Sequence, residues 1–87
     1  MTEQEYFACF NAIKTMIEGY LAFISEMNEC STTVNDVHIV LNKANDIYNF
    51  SLTRNGVTIN NTFAVEHMDD TVSEEHFMAG YIMRFVN

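Results

Sequence analysis

His67 lies within, and His76 directly after, the densest group of carboxylates in the chain, Glu66, Asp69, Asp70, Glu74 and Glu75, with no lysine or arginine among them. Imidazole nitrogens and carboxylate oxygens are donors that suit manganese, iron or zinc. Locally encoded metal sites need set spacings, however. This stretch has neither the paired helical histidines of a zinc hydrolase nor the alternating oxygen ligands around a glycine of a calcium loop. It reads as a solvated acidic cap, and no metal or cofactor is expected.

Cys9 with a histidine would be the other candidate, as nucleophile and base. Thiolate chemistry needs an electropositive setting and a third group to orient the base, and the residues around Cys9 are acidic and apolar. His38 lies in an apolar stretch and reads as a hydrogen-bonded or half-exposed structural residue. With three glycines in all, the chain has no glycine-rich phosphate cradle and no nucleophile elbow. The expectation is a protein that is not an enzyme.

Charge narrows the partners. Twelve acidic residues against four basic ones give a net charge of -8. Neutralising phosphates takes clustered lysine and arginine, whereas Lys14, Lys43, Arg54 and Arg84 are scattered. Direct nucleic-acid binding is not expected, and anionic membrane surfaces are disfavoured for the same reason. A basic protein surface is the favoured partner. No basic start followed by an apolar run opens the chain, and no apolar stretch nears the roughly 20 residues of a span, which predicts a cytoplasmic protein.

The elements that must position these groups follow from patterning. With 87 residues, 48% of them hydrophobic, the chain can build one α+β domain, 1–87, without disulfide staples. Thr2 and Glu5 form a capping-box pattern. Tyr6, Phe10, Ile13, Ile17, Tyr20, Ile24 and Met27 then recur at spacings of four and three, which predicts a long helix over 3–29. Cys9, Met16, Phe23 and Cys30 add a flanking stripe. Such a helix is roughly 40 Å long, against about 30 Å for a compact domain of this length. The overhang predicts a homodimer, with Cys9, Met16, Tyr20, Phe23 and Met27 as interface candidates. On a continuous helix Cys9 and Cys30 lie about 31 Å apart, too far for a bridge.

Thr33 followed by Asp36, with Val34, Val37, Leu41 and Ala44 on one face, predicts a short second helix over 33–45. The alternation of Val37, Ile39 and Leu41 offers a strand instead. Asn55-Gly56 predicts a tight hairpin between strands 47–53 and 57–65. Its register pairs Arg54 with Val57, Leu52 with Ile59, Phe50 with Asn61 and Tyr48 with Phe63. One face then collects Tyr48, Phe50, Leu52, Ile59 and Phe63. The open edges of this hairpin offer a second route to association. Thr71 with Glu74 opens a terminal helix over 72–86. No internal repeat is legible.

Two main functions are expected from this reading. In the first, Glu18, Glu26 and Glu29 with Asp69, Asp70, Glu74 and Glu75 imitate phosphates and occupy the basic groove of a nucleic-acid-binding enzyme. In size, charge and compactness the chain is similar to small phage-encoded inhibitors of restriction or CRISPR enzymes, an analogy of class that rests on no shared motif. In the second, the chain is a homodimeric structural or regulatory module. A small-ligand or metal binder is the remaining alternative.

Overall fold

The computed structural model describes residues 1–87. Three tight turns organise it. Asn35-Asp36, Asn45-Asp46 and Asn55-Gly56 each place two successive residues at positive φ, 50° and 62°, 54° and 61°, and 54° and 79°. This is the signature of type I′ turns, whose twist matches the strands they join. Asparagine and aspartate reach this region through local side-chain hydrogen bonding, and glycine because it has no Cβ.

Around these turns run β1 (Cys30–Val34), β2 (Val37–Ala44), β3 (Ile47–Arg54) and β4 (Val57–Ala64). They form an antiparallel meander in the order β1-β2-β3-β4. The β3–β4 register is Arg54 with Val57, Leu52 with Ile59, Phe50 with Asn61 and Tyr48 with Phe63, as the Asn-Gly turn requires. The expected helix over 33–45 is instead two strands and a turn. Thr33 and Asp36 mimic a cap because the residues that cap helices also make tight turns. The β-branched content and alternation of 37–41 carry the strand once that turn exists. A regularity hidden in dissimilar strands also emerges, since the asparagine-led turns recur every ten residues.

The helices flank the sheet in sequence. α1 (Glu3–Ala22) begins with the expected capping box, in which Thr2 Oγ1 accepts from the Glu5 N–H at 3.1 Å and Glu5 Oε1 accepts from the Thr2 N–H at 3.3 Å. It does not continue to residue 29. Tyr20 is its last fully buried side chain; Ile24 and Met27, on the continued stripe, are 39% and 40% exposed, and Phe23, on the flanking one, is 56% exposed. The chain leaves the helix there to reach β1. At about 1.5 Å per residue these 20 residues span roughly 30 Å, within the longest dimension of 32 Å. The overhang that predicted a helix-mediated dimer therefore does not exist.

After a 3₁₀ turn (Val65–His67), α2 (Glu74–Val86) is capped by Ser73, whose Oγ accepts from the His76 N–H. Thr71, the expected cap, is instead engaged by Asp69.

Both helices lie on one face of the sheet. Ile13, Ile17 and Tyr20 from α1 join Met78, Ala79, Ile82, Met83 and Val86 from α2. The sheet supplies Val37, Ile39, Leu41, Tyr48, Phe50 and Leu52. Each fully buried large aliphatic side chain contributes about 1.5–3 kcal/mol. Phe50 meets Tyr81 and Phe85, and Phe63 meets Phe77 and Tyr81, with ring centroids 4.7–6.0 Å apart, spacings favourable to edge and offset aromatic packing. No buried side-chain nitrogen or oxygen lacks a partner.

Candidate interaction surfaces

The acidic stretch is built into the fold at its second half. Lys43 lies on the helix-facing side of β2, opposite Tyr48 on β3. Its Nζ donates to Glu74 Oε1 at 2.8 Å, and the Tyr48 hydroxyl donates to the same oxygen at 2.7 Å. The Lys43 backbone N–H donates to the Tyr20 hydroxyl at 3.0 Å. One lysine thus ties α1, the sheet and the start of α2 together. Burial alone would raise the Glu74 carboxyl, but the two hydrogen bonds and the lysine charge outweigh it and hold the group below the ordinary range. Burial first, then the bond to Glu74, pushes the Tyr48 phenol upward and keeps it a donor.

The opposite end of α2 is fixed by a second cation. Arg54 donates from Nη2 to the Val86 carbonyl and, at 3.4 Å, to that of Asn35. The guanidinium complements the free carbonyls and negative end of the helix.

Asp69 and Asp70 are exposed in the preceding connection. Asp69 Oδ1 accepts from the Thr71 N–H at 2.9 Å and the Thr71 hydroxyl at 2.6 Å, and these bonds hold its carboxyl below the usual value. Glu75 is half-buried in the first turn of α2. Of the other expected acidic contacts, Glu18 is exposed on α1, while Glu26 and Glu29 lie beyond its end.

Four of the five expected dimer residues come together. Met16, Tyr20, Phe23 and Met27 line a groove of about 570 Å³, with Glu29 and Cys30 on the β1 side. Tyr20 is only 2% exposed and serves the chain's own core. Cys9 lies elsewhere on α1, half-buried, and both cysteines are free. Burial, with a smaller push from the Glu29 charge, raises the Cys30 thiol to about 11, which suppresses the thiolate.

The face of the sheet away from the helices is uncovered. Its residues follow from register: Thr33, His38, Thr53 and Thr58 form one row, and Asn42, Asn49 and Thr62 another. Side-chain bonds tie the strands together across it, Thr33 to His38 at 3.0 Å, Asn49 to Asn42 at 3.1 Å and Thr53 to Thr58 at 2.7 Å. Val40, Ser51, Asn60 and Thr62 border a shallow depression of about 470 Å³ on this side. His38 is exposed and part of this network. This face has no acidic residue, although the chain carries twelve.

The polar hairpin face of Asn49, Ser51, Thr53, Thr58, Asn60 and Thr62 was legible from the Asn-Gly register, but sequence reasoning missed the Lys43–Tyr48–Glu74 contact and the β1–β2 half of the open face. The signal for both was the register of β2 against β3. Once Val37, Ile39 and Leu41 face inward, Lys43 must follow them beside Tyr48, and Asn42 must face outward beside Asn49. No group of three or more histidine, cysteine or acidic side chains is placed to hold a metal ion, and no helix is long and apolar enough to cross a membrane. No protein-family model, curated protein or solved structure matches the chain.

Proposed function

We propose that the chain is a non-enzymatic protein-interaction module that presents carboxylates to a basic protein surface, including the nucleic-acid groove of an enzyme. The observation that carries this reading is the hydrogen-bonded frame under the acidic segment: Asp69 bound by Thr71, and Glu74 anchored by Lys43 and Tyr48. Preorganised carboxylates seat against lysine and arginine clusters without paying to order a flexible loop. Asp69, Asp70 and Glu75 supply the contact, with Glu18, Glu26 and Glu29 as a second acidic group. Glu74 acts as the anchor of this frame.

The test is capture of basic nucleic-acid-binding proteins from lysate at low and moderate salt, using the natural chain and the Asp69→Lys/Asp70→Lys variant. Glu74 is left intact so that the frame persists. The expected result is a partner released by salt or competing DNA and lost from the charge-reversed variant, whose melting curve stays close to that of the parent. A partner retained equally by both proteins would remove Asp69 and Asp70 from the contact.

A further inference from the structure

We propose that β4 is a self-association edge: two copies pair their β4 strands antiparallel about a twofold axis at Asn61, joining two four-stranded sheets into one of eight. This inference rests on a different surface from the acidic segment and stands or falls independently of it.

The unpaired groups on β4 come from the hairpin geometry. A two-residue turn makes its flanking residues, Arg54 and Val57, a hydrogen-bonded pair, and such pairs alternate along the ladder. Ile59, Asn61 and Phe63 therefore bond to β3, and the Val65 N–H continues the series by donating to the Asp46 carbonyl at 2.9 Å. The backbone groups of Thr58, Asn60, Thr62 and Ala64 point to the free edge. The Thr62 N–H is satisfied there by the Asn61 side-chain oxygen at 3.0 Å, a local bond that pairing would replace.

Edge strands of stable monomers are shielded by charge, proline, a bulge or a covering segment. β4 is eight residues long, has no charged residue or proline, and pairs with β3 in unbroken register. Its apolar residues on the helix side are poorly covered, Val57 at 68% exposed and Ile59 at 45%. Beside them runs a groove of about 300 Å³ lined by Val37, Leu52, Arg54, Val57, Ile59 and Phe85.

A second copy fits this edge better than it fits the groove at the end of α1. Each chain carries a net charge of -8, and a twofold contact at the α1 groove would set Glu29 and its acidic neighbours against themselves. The β4 strip is neutral.

The register also complements itself. With Asn61 on the axis, Ile59 faces Phe63 of the second copy and Val57 faces its Val65, filling the groove with apolar side chains. Asn60 opposes Thr62 and Thr58 opposes Ala64 as hydrogen-bonded pairs, giving about eight new backbone bonds. Strands of this length are about 27 Å long and a sheet layer about 10 Å thick, so the edge covers roughly 270 Å² on each copy, about 540 Å² in total. That is below the usual size of specific interfaces, so the backbone ladder must carry much of the affinity, and a dissociation constant in the micromolar range or weaker is expected.

Sedimentation equilibrium from 1 µM to 1 mM tests the proposal, read together with disulfide trapping. The expected mass rises from 10.0 kDa towards twice that value. Asn60→Pro removes an outward N–H and no β3 bond, so it should keep a cooperative melt while weakening dimerisation at least tenfold. Ile59→Lys should do the same by adding charge. In a Cys9→Ser background, Asn61→Cys should form an intermolecular disulfide, because the directly opposed Cα atoms lie about 4.5 Å apart. Thr58→Cys should not. A monomer throughout the range would overturn the proposal. So would a dimer that Asn60→Pro and Ile59→Lys leave intact and Asn61→Cys fails to trap, whether it forms at the α1 groove or on the open sheet face. The Asp69→Lys/Asp70→Lys variant should dimerise as the parent does.

Discussion

Glu74 shows how a single carboxylate can change meaning between a sequence and a fold. Among four neighbouring acids it reads as one more exposed charge, yet it receives both Lys43 and Tyr48. Because its side chain is about a third exposed, solvent screens the ion pair, and Glu74→Gln should cost only about 1 kcal/mol in urea unfolding at neutral pH. The pH dependence has a defined sign. The folded chain holds this carboxyl below its ordinary value of 4.5, so the unfolded chain binds the proton more readily. The resulting stability is complete above about that pH and is lost as pH falls through the lower folded value. The stability gap between parent and Glu74→Gln should therefore narrow in acid. A gap that stays constant from pH 7 to pH 3 would show that the charge on Glu74 does not stabilise the fold.

The meander depends on its turns more than on any one strand. Asp36 and Asp46 hold the second positions of their turns at φ 62° and 61°, where glycine is less strained. Asp36→Gly and Asp46→Gly should each stabilise by about 0.5–1 kcal/mol, raising the melting temperature by several degrees. Unchanged or lower melting of both variants would mean that their side chains contribute more than the backbone conformation costs. On α1 the periodic stripe divides in two. Ile17→Ala empties a site at 0% exposure and should cost about 2–5 kcal/mol. Met27→Ala, beyond the helix end, should stay within about 0.5 kcal/mol. Equal losses on chemical denaturation would imply that the segment after Ala22 packs as tightly as α1.

At the scale of the molecule, acidic residues dominate the charge while the strands themselves carry no acid. A net charge of -8 on 87 residues repels itself more in the folded state than in an expanded chain. Sodium chloride at about 0.5 M shortens the screening length to a few ångströms and should raise the melting temperature. Glu74→Gln should reveal this more clearly by removing one salt-sensitive attraction. A melting temperature that falls with salt would indicate that local pairs such as Lys43 with Glu74 outweigh the net repulsion. The same screening should weaken contact with a basic partner and favour pairing at the uncharged β4 edge, so the two surfaces are separable by ionic strength.

What the sequence determined by itself was local. The Thr2–Glu5 capping box, the inward stripe through Ile13 and Ile17, and the Asn55-Gly56 turn with its register depend on residues close together in the chain, where spacing dictates geometry. The α+β class and the acidic character were legible for the same reason. The tertiary structure decided where α1 stops, because Ile24 and Met27 keep the helical period but have no layer beneath them. It decided that 33–45 is two strands, because a helix and a strand satisfy the same apolar residues until β3 offers a ladder for β2. It also decided which polar residues meet. Lys43 and Glu74 are 31 positions apart, and only the pairing of β2 with β3 and the seating of α2 on the sheet bring that cation to that carboxylate.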